Sequence, residues 1–424
     1  LISHEHLYKN RHALYGSISK RLLTEFEIGE ITDLDFKDVQ QYYIPDKIFL
    51  ELEKKCKSRS GFLNYIYKES DLTLGVEFHK AFESIKRKSD IKGIFHILEP
   101  FQTLIKLSHE NSIPLIPITF SAIRRVHGYT HTLYSSSEGS RLFDSADCKN
   151  RYAKFKSEKS NFPIFSHRCI IALFGKLRTH PLIPLINKDA PYELLICGDA
   201  YEITPQIYDW SELTDDDLYY LANSKFKPSE IKSRQHALKL DRYELDRSQV
   251  PLDPAATILS CKRCTSVSSQ ILLKAMIWNR SVVMIAESLP FSFACKQEID
   301  ADGKVDISFI NYFIFCYLIP NDLMFNEKYW LWRLTNPSES DIYNFHLSFY
   351  SDSTGLGLKN FLESEEKDVF RKIMSYRGYS VSEIDRLANG PADNVDLQMA
   401  VSKLSFFCRD NVQSKEKWCL NQTS

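Results

Sequence analysis

The stretch that decides the fold spans residues 256–286 and reads ATILSCKRCTSVSSQILLKAMIWNRSVVMIA. Two short apolar runs in it, residues 256–259 and 281–286, are typical of strands that are buried on both faces. Between them, residues 268–278 space their apolar side chains as a helix that packs against a sheet. The stretch therefore predicts a strand–helix–strand unit, and such a unit requires a parallel sheet.

The same alternation occurs earlier in the chain. Apolar runs at residues 169–174 and 193–197 predict two buried strands, and residues 181–187 between them predict a helix. A polar helix is predicted over residues 215–223. Because ligands of open parallel sheets bind at the carboxyl ends of the strands, we expect the functional residues just after these strands.

The first part of the chain predicts a second layer of this kind with a helical insertion. Strands are predicted at residues 1–3, 93–98 and 113–120, and helices at residues 12–27, 45–57, 78–88 and 99–111. Residues 121–163 are rich in Ser, Gly and Tyr, which predicts a loop region that faces the active site.

The predicted fold class is therefore α/β, with two Rossmann-like lobes that each contain a parallel sheet. We expect a first lobe with a helical insertion at residues 1–165, a second lobe that binds the ligand at residues 166–345, and a helical tail at residues 346–424 that packs across both.

Composition excludes several classes of protein. The 54 basic and 55 acidic residues leave a net charge of −1, which argues against binding nucleic acid by bulk charge. Ten scattered Cys indicate reduced thiols, and the single CxxC pair of Cys261 and Cys264 lacks a second pair, so we expect no metal site. The motifs of P-loop NTPases, dinucleotide dehydrogenases and α/β-hydrolases are missing.

The first candidate site is the start of the helix at residues 268–278. Either Ser268 or Ser269 is expected to be its N-cap, with Gln270 beside it. The backbone N–H groups at such a start bind phosphate without any Lys. An ordinary Ser N-cap that contacts no ligand fits the same residues equally well.

A second candidate site follows the predicted strand at residues 169–174. Gly175 allows close approach of a ligand, Lys176 and Arg178 neutralise phosphate charge, and His180 donates a hydrogen bond. A lone His-Pro pair is common, so this hypothesis depends on its position after a strand.

Three acidic residues are candidate catalytic groups. Asp199 and Glu99 each follow a predicted strand, whereas Glu138 lies in the Ser-rich loop region. Two of them have an alternative role without chemistry: Asp199 as a turn cap and Glu99 as a favourable charge at a helix start.

The segments SVSSQILLKAM at residues 266–276 and SVVMI at residues 281–285 resemble the donor-binding helix and strand of GT-B glycosyltransferases. They are similar in particular to bacterial capsule and lipopolysaccharide enzymes of the Kdo-transferase and sialyltransferase kinds, which pair a His-Pro motif with a Ser-Ser motif. The resemblance covers about a third of the chain. It implies that His180, Ser268 and Ser269 hold the nucleotide of a CMP-sugar, such as CMP-Kdo.

The donor has an alternative, because Phe174-Gly-Lys-Leu-Arg178 also resembles the diphosphate loop of retaining GT-B enzymes that use UDP- or GDP-sugars. That group usually carries two Glu on the donor helix, and here Ser269 and its neighbours replace them.

The resemblance implies sugar transfer to a bacterial surface glycan or lipid-linked glycan, with the nucleotide sugar as co-substrate and with neither cofactor nor metal. It implies a cytoplasmic protein, either free or peripheral at the inner face of the membrane. A non-catalytic GT-B-like protein that binds a glycan or a partner is the other alternative.

Overall fold

The computed structural model describes residues 2–3, 42–43, 46–57, 59–87, 90–97, 100–124, 131–135, 143–158, 164–165, 167, 170, 174, 190–198, 211–234, 254–287, 289–320, 323, 327–352 and 380–382. These residues form a mixed α/β fold with one sheet of six strands and one of four. The predicted α/β class is confirmed, and the four-stranded sheet is parallel as predicted, whereas the six-stranded sheet is mixed.

The second sheet consists of β6 (Tyr192–Cys197), β7 (Ile231–Arg234), β8 (Cys261–Thr265) and β9 (Ser281–Val283). Every pair in it is parallel, and the order across the sheet is β7-β6-β8-β9. The first strand of this sheet in the chain, β6, lies in the interior of the sheet. The next strand, β7, is added on one side of β6, and β8 and β9 follow on the other side. The direction of winding therefore reverses between β6 and β8, which makes this position the topological switch point of the sheet.

The first sheet repeats this order. Its strands are β1 (Ile2–Ser3), β2 (Tyr42–Tyr43), β3 (Ile94–Ile97), β4 (Leu115–Arg124), β5 (His131–Ser135) and β10 (Ile319–Pro320). The parallel strands follow the order β2-β1-β3-β4, and β5 and then β10 extend the sheet in antiparallel pairing. Since β10 follows the second sheet in the chain, the polypeptide returns to complete the first.

The helices surround these sheets. They are α1 (Asp46–Lys55), α2 (Arg59–Lys68), α3 (Leu72–Lys86), α4 (Gln102–Glu110), α5 (Ser145–Ser157), α6 (Asp215–Lys225), α7 (Pro254–Leu259), α8 (Leu272–Ile277), α9 (Ile307–Tyr312), a π-helix (Phe313–Tyr317), α10 (Glu327–Leu334) and α11 (Glu339–Asp352). None of the helices in the described ranges has both the length and the apolar character needed to cross a membrane.

The second sheet is buried on both faces, as the apolar run at residues 193–197 predicts. Leu195 and Cys197 of β6 belong to the larger core, which also contains side chains of α7, α8 and α9. Leu194 and Ile196 point to the other face and pack against α6. The two-residue alternation of a strand thus separates two layers of helix around one sheet.

Two strands predicted for this sheet are wrong. Residues 256–259 belong to α7, and the two described residues of the other run, Ile170 and Phe174, are helical. A short apolar run fits a buried helix as well as a buried strand, and Pro254 at the start of α7 favours the helix. Ile170 and Phe174, four residues apart, are both buried, as expected for one face of a helix.

Strand β8 was not predicted from the sequence. Lys262 and Arg263 interrupt its apolar character, and Arg263 is nevertheless buried. Its guanidinium lies 3.4 Å from a carboxylate oxygen of Glu193 and 2.9 Å from one of Asp302. Tertiary ion pairs therefore allow a charged residue inside a strand that the local pattern does not predict.

Residues 121–163 were expected to be a loop region, and this prediction is wrong because they contain the end of β4, the strand β5 and the thirteen-residue helix α5. Helix α2 was also missed. The strands at residues 93–98 and 113–120 and the helices at residues 45–57, 78–88, 99–111 and 215–223 are confirmed with shifted ends. The helices predicted at residues 12–27 and 181–187 lie outside the described residues, and the domain boundaries and the tail stay predictions.

Candidate functional site

The carboxyl edge of the second sheet brings several segments together at the switch point. In β6 and β8, Leu195 pairs with Cys264 and Ile196 with Thr265. The residues that follow are therefore neighbours: Gly198 just after β6, and an edge loop, residues 266–270, just after β8. This is the position at which open parallel sheets bind their ligands.

The edge loop is closed by one of its own serines. The backbone N–H of Ser269 donates to Oγ of Ser266 at 2.9 Å. Ser266 and Ser268 are buried, whereas Ser269 and Gln270 are half-buried at the surface. The loop thus presents the side chains of Ser269 and Gln270 outward.

The expected N-cap role of Ser268 or Ser269 is wrong. Helix α8 begins at Leu272, its N-cap position is Ile271, and no side chain caps it. The N–H groups of Leu272 and Leu273 bond to the carbonyl oxygens of Ser269 and Gln270, at 3.3 and 3.1 Å. A ligand at this edge would therefore meet side-chain hydroxyl and amide groups rather than free N–H groups of a helix start.

Arg234 is a basic residue of this edge that the sequence analysis did not select. It is the last residue of β7, pairs with Cys197, and its carbonyl oxygen accepts a hydrogen bond from Gly198 N at 3.0 Å. Its side chain is half-buried. The local sequence Ile-Lys-Ser-Arg of β7 does not look like a strand, so its end could not be located from the pattern alone.

The remaining candidates, Glu99, Glu138, Gly175, Lys176, Arg178, His180 and Asp199, lie outside the described residues. For two of them the preceding strand is in place, since β3 ends at Ile97 and β6 is followed by Gly198. The segment beginning at Gly175 was selected because a strand was expected before it, and Phe174 is helical, so that reason no longer applies.

The CxxC residues of β8 are thiols of the core. Burial raises the pKa of Cys264 well above its usual value, and the neighbouring thiols of Cys197 and Cys261 raise it further. Burial also raises the pKa of Cys261, whose Sγ donates to the carbonyl oxygen of Thr257 at 3.4 Å. In the part of the chain that the structure describes, no three His, Cys, Asp or Glu side chains are grouped to hold a metal ion.

Comparisons with known proteins add little to this geometry. No family model and no curated protein matches the chain. Among solved structures, the KpsC beta Kdo 2,4 transferase of Thermosulfurimonas dismutans is similar, with 13% identity and a TM-score of 0.31 over 46% of this chain and 69% of that chain. No family is established. Any function must therefore be argued from the carboxyl edge itself.

The residues of this edge could bind a ligand through hydrogen bonds. Ser269 and Gln270 provide neutral donors and acceptors, and Arg234 provides a guanidinium two strands away from the edge loop. In the order of the strands, Gly198, which has no side chain, lies between Arg234 and the edge loop. Arg pairs well with phosphate because its planar fork donates two parallel hydrogen bonds.

Proposed function

We propose that this chain is a glycosyltransferase that binds a nucleotide sugar at the carboxyl edge of the second sheet. The observation that carries the proposal is the strand order β7-β6-β8-β9, because it creates a switch point flanked by Gly198 and the edge loop. The first sheet has the same order of parallel strands, which supports an architecture of two Rossmann-like lobes of the GT-B kind.

Transfer of the sugar requires stabilisation of the phosphate that leaves. In the proposed arrangement the Arg234 guanidinium and the side chains of Ser269 and Gln270 bind that phosphate, and their effect increases as negative charge develops on it. We propose the nucleotide sugar as the only co-substrate, with no further cofactor.

The proposed donor, catalytic residues and acceptor are based on the amino-acid sequence. The resemblance of residues 266–276 to donor-binding helices supports a CMP-sugar such as CMP-Kdo, with a UDP- or GDP-sugar as the alternative. Asp199, which follows Gly198, is proposed as a catalytic acid or base, together with Glu99 and Glu138. The proposed acceptor is a bacterial surface glycan or lipid-linked glycan at the cytoplasmic face of the membrane.

The test is a binding and turnover assay with CMP, UDP, GDP and their sugar derivatives. We expect one nucleotide to raise the melting temperature and its sugar derivative to release that nucleotide when a glycan acceptor is added. Arg234→Met, Ser269→Ala and Gln270→Ala are expected to weaken binding. Ser224→Ala is the matched control, because Ser224 is exposed on α6 and its Oγ bonds only within that helix, to the carbonyl of Leu221 at 2.7 Å.

The outcomes separate the alternatives. Binding without turnover for every donor would replace the enzyme by a non-catalytic nucleotide-binding protein. The proposal fails if no nucleotide stabilises the protein, or if the edge variants bind as tightly as the Ser224→Ala control.

A further inference from the structure

Thr265 holds a buried hydroxyl at the end of β8. The residue is 0% exposed, and within the described residues its Oγ1 atom has no hydrogen-bond partner. Buried hydroxyls in folded proteins are nearly always hydrogen-bonded, because leaving one without a partner destabilises the folded state. The Thr265 hydroxyl is therefore expected to have a function that offsets this cost in stability.

The side chains around Thr265 do not explain why this position has a hydroxyl group. Strand alternation and the pairing of Thr265 with Ile196 place its side chain on the face of the sheet that packs against α6. Leu194, Ile196 and Leu218 form an apolar cluster on that face. Arg263, two residues before Thr265 in β8, is buried on the same face, where its guanidinium pairs with Glu193 and Asp302. Val has nearly the same shape as Thr and would fill this position without burying a polar atom.

The position of Thr265 supplies a reason for the hydroxyl. Thr265 is the last strand residue before the edge loop, and it pairs with the residue two positions before Gly198. Gly198 is also buried, and it has no side chain that a ligand oxygen would have to displace. Thr265 has no exposed surface, so contact requires the edge loop to shift where Ser269 N bonds to Ser266 Oγ.

We propose that the Thr265 hydroxyl binds the ligand of this edge by donating a hydrogen bond to a phosphate oxygen. The inference rests on the proposed function and adds one binding residue to it. Because the Thr265 hydroxyl has no hydrogen bond among the described residues to break, the whole free energy of its bond to the ligand contributes to the binding affinity. Bonds to a charged oxygen are also stronger than neutral ones.

The chain contains a matched control for this inference. Thr257 of α7 also buries a hydroxyl without a partner among the described residues, and it is 2% exposed. Helix α7 ends at Leu259, shortly before β8 begins at Cys261, so Thr257 lies toward the opposite, amino end of the strand. Thr257→Val and Thr265→Val therefore remove the same group at the two ends of β8.

The experiment measures the melting temperature of the free protein and the dissociation constants of CMP and UDP. Both Val variants are expected to raise the melting temperature slightly, by about 1–2 °C. Thr265→Val is expected to weaken nucleotide binding about tenfold or more, while Thr257→Val stays within about twofold of the wild type. Thr265→Ser, which keeps the hydroxyl, is expected to retain most of the affinity.

Three outcomes would overturn the inference. If Thr265→Val binds CMP and UDP as the wild type does, the hydroxyl is not a ligand group, although the proposed function stands. If Thr265→Val lowers the melting temperature while Thr257→Val raises it, the Thr265 hydroxyl has an internal partner. If the wild type binds neither nucleotide, the proposed function fails and this inference fails with it.

Discussion

The Arg151–Glu339 ion pair and the Thr265 hydroxyl are both buried polar groups, but only the ion pair has its partner among the described residues. Arg151 of α5 donates to both carboxylate oxygens of Glu339 of α11, at 2.7 and 3.0 Å. Cys316 donates to the same carboxylate at 3.1 Å, and the Arg151 guanidinium lies 4.9 Å from the ring centre of Tyr317. Thr265 has no comparable partner in the described residues. The ion pair therefore holds two helices together, whereas the proposed partner of the Thr265 hydroxyl is a ligand.

A second set of hydrogen bonds, besides the Arg151–Glu339 ion pair, connects helices α5 and α11. The Glu158 carboxylate, just after α5, accepts hydrogen bonds from the N–H groups of Glu339 and Ser340, at 3.2 and 2.6 Å. Burial alone would raise the pKa of Glu339, but the Arg151 guanidinium holds that pKa below its ordinary value. Glu339 is therefore a carboxylate at neutral pH, and its contact with Arg151 joins two ionised groups.

The largest expected effect comes from breaking the ion pair on one side. Arg151→Met leaves the Glu339 carboxylate buried without its cation and is expected to lower the free energy of unfolding by about 3–5 kcal/mol. Chemical denaturation would measure it. The double variant Arg151→Met with Glu339→Leu is expected to recover much of the loss, because no charge is left buried.

Lys149→Met is the control for this change, since Lys149 is exposed on the same helix. The role assigned to the ion pair is wrong if Arg151→Met and Lys149→Met have equal effects on stability.

The next largest expected effect is a loss of folding stability at low pH, caused by His346. His346 of α11 is buried, with Nε2 2.9 Å from the Tyr329 hydroxyl and Nδ1 3.1 Å from the carbonyl oxygen of Phe315. A carbonyl only accepts, so Nδ1 carries the proton and Nε2 accepts from Tyr329. Burial, with the positive charge of Arg333 nearby, holds the pKa of His346 well below its ordinary value.

The sign follows from the unfolded chain, in which this His takes up a proton below about pH 6.5 while the folded protein does not. Stability is therefore lost as the pH falls below that value, by about 1.4 kcal/mol per pH unit for one such group. Denaturation at pH 7.5 and 5.5 is expected to show a smaller loss for His346→Gln than for the wild type. Equal losses would mean that His346 is protonated in the folded state.

Removal of the Glu158 cap is expected to have a smaller effect. Glu158→Ala leaves the N–H groups of Glu339 and Ser340 without their carboxylate and should cost about 1 kcal/mol. Ser157→Ala, at an exposed neighbour, is the control. A cost near zero for both variants would leave the ion pair as the contact that joins α5 to α11.

The smallest expected effect on stability is at the carboxyl edge. Ser266→Ala removes the acceptor that closes the edge loop and should cost about 0.5–1.5 kcal/mol while also weakening nucleotide binding. Ser281→Ala is the control, because its Oγ likewise accepts a backbone hydrogen bond, from Gly303 N at 3.1 Å, and also donates to the Gly303 carbonyl oxygen at 2.7 Å, at the amino end of β9. Equal nucleotide affinity in the two variants would count against a binding role of the edge loop.

The sequence predicted the parallel α/β architecture because strand and helix alternate in it over long distances. It did not predict β7 and β8, in which Lys232, Arg234, Lys262 and Arg263 hide the strand pattern. Without those strands, the carboxyl edge could be located only through Gly198 and the edge loop. Arg234 and Thr265 were missed for the same reason, because their importance depends on which strand each one ends.

The N-cap prediction failed for a different physical reason. Ser266, rather than Ser268 or Ser269, makes the local side-chain bond, and this bond closes a turn before α8 instead of starting the helix. Ser and Thr side chains form turns and caps with similar local patterns, so the sequence alone does not distinguish them.

The return of the chain at β10 has a consequence for synthesis of the protein. Ile319 and Pro320 pair with β5, whose residues are made long before them. Until residue 320 has left the ribosome, the outer side of β5 has no strand beside it, and unpaired strand edges are sites of misassembly between nascent chains. Completion of the first sheet therefore waits for translation of the second, so a fragment cut between the two sheets would expose that edge permanently.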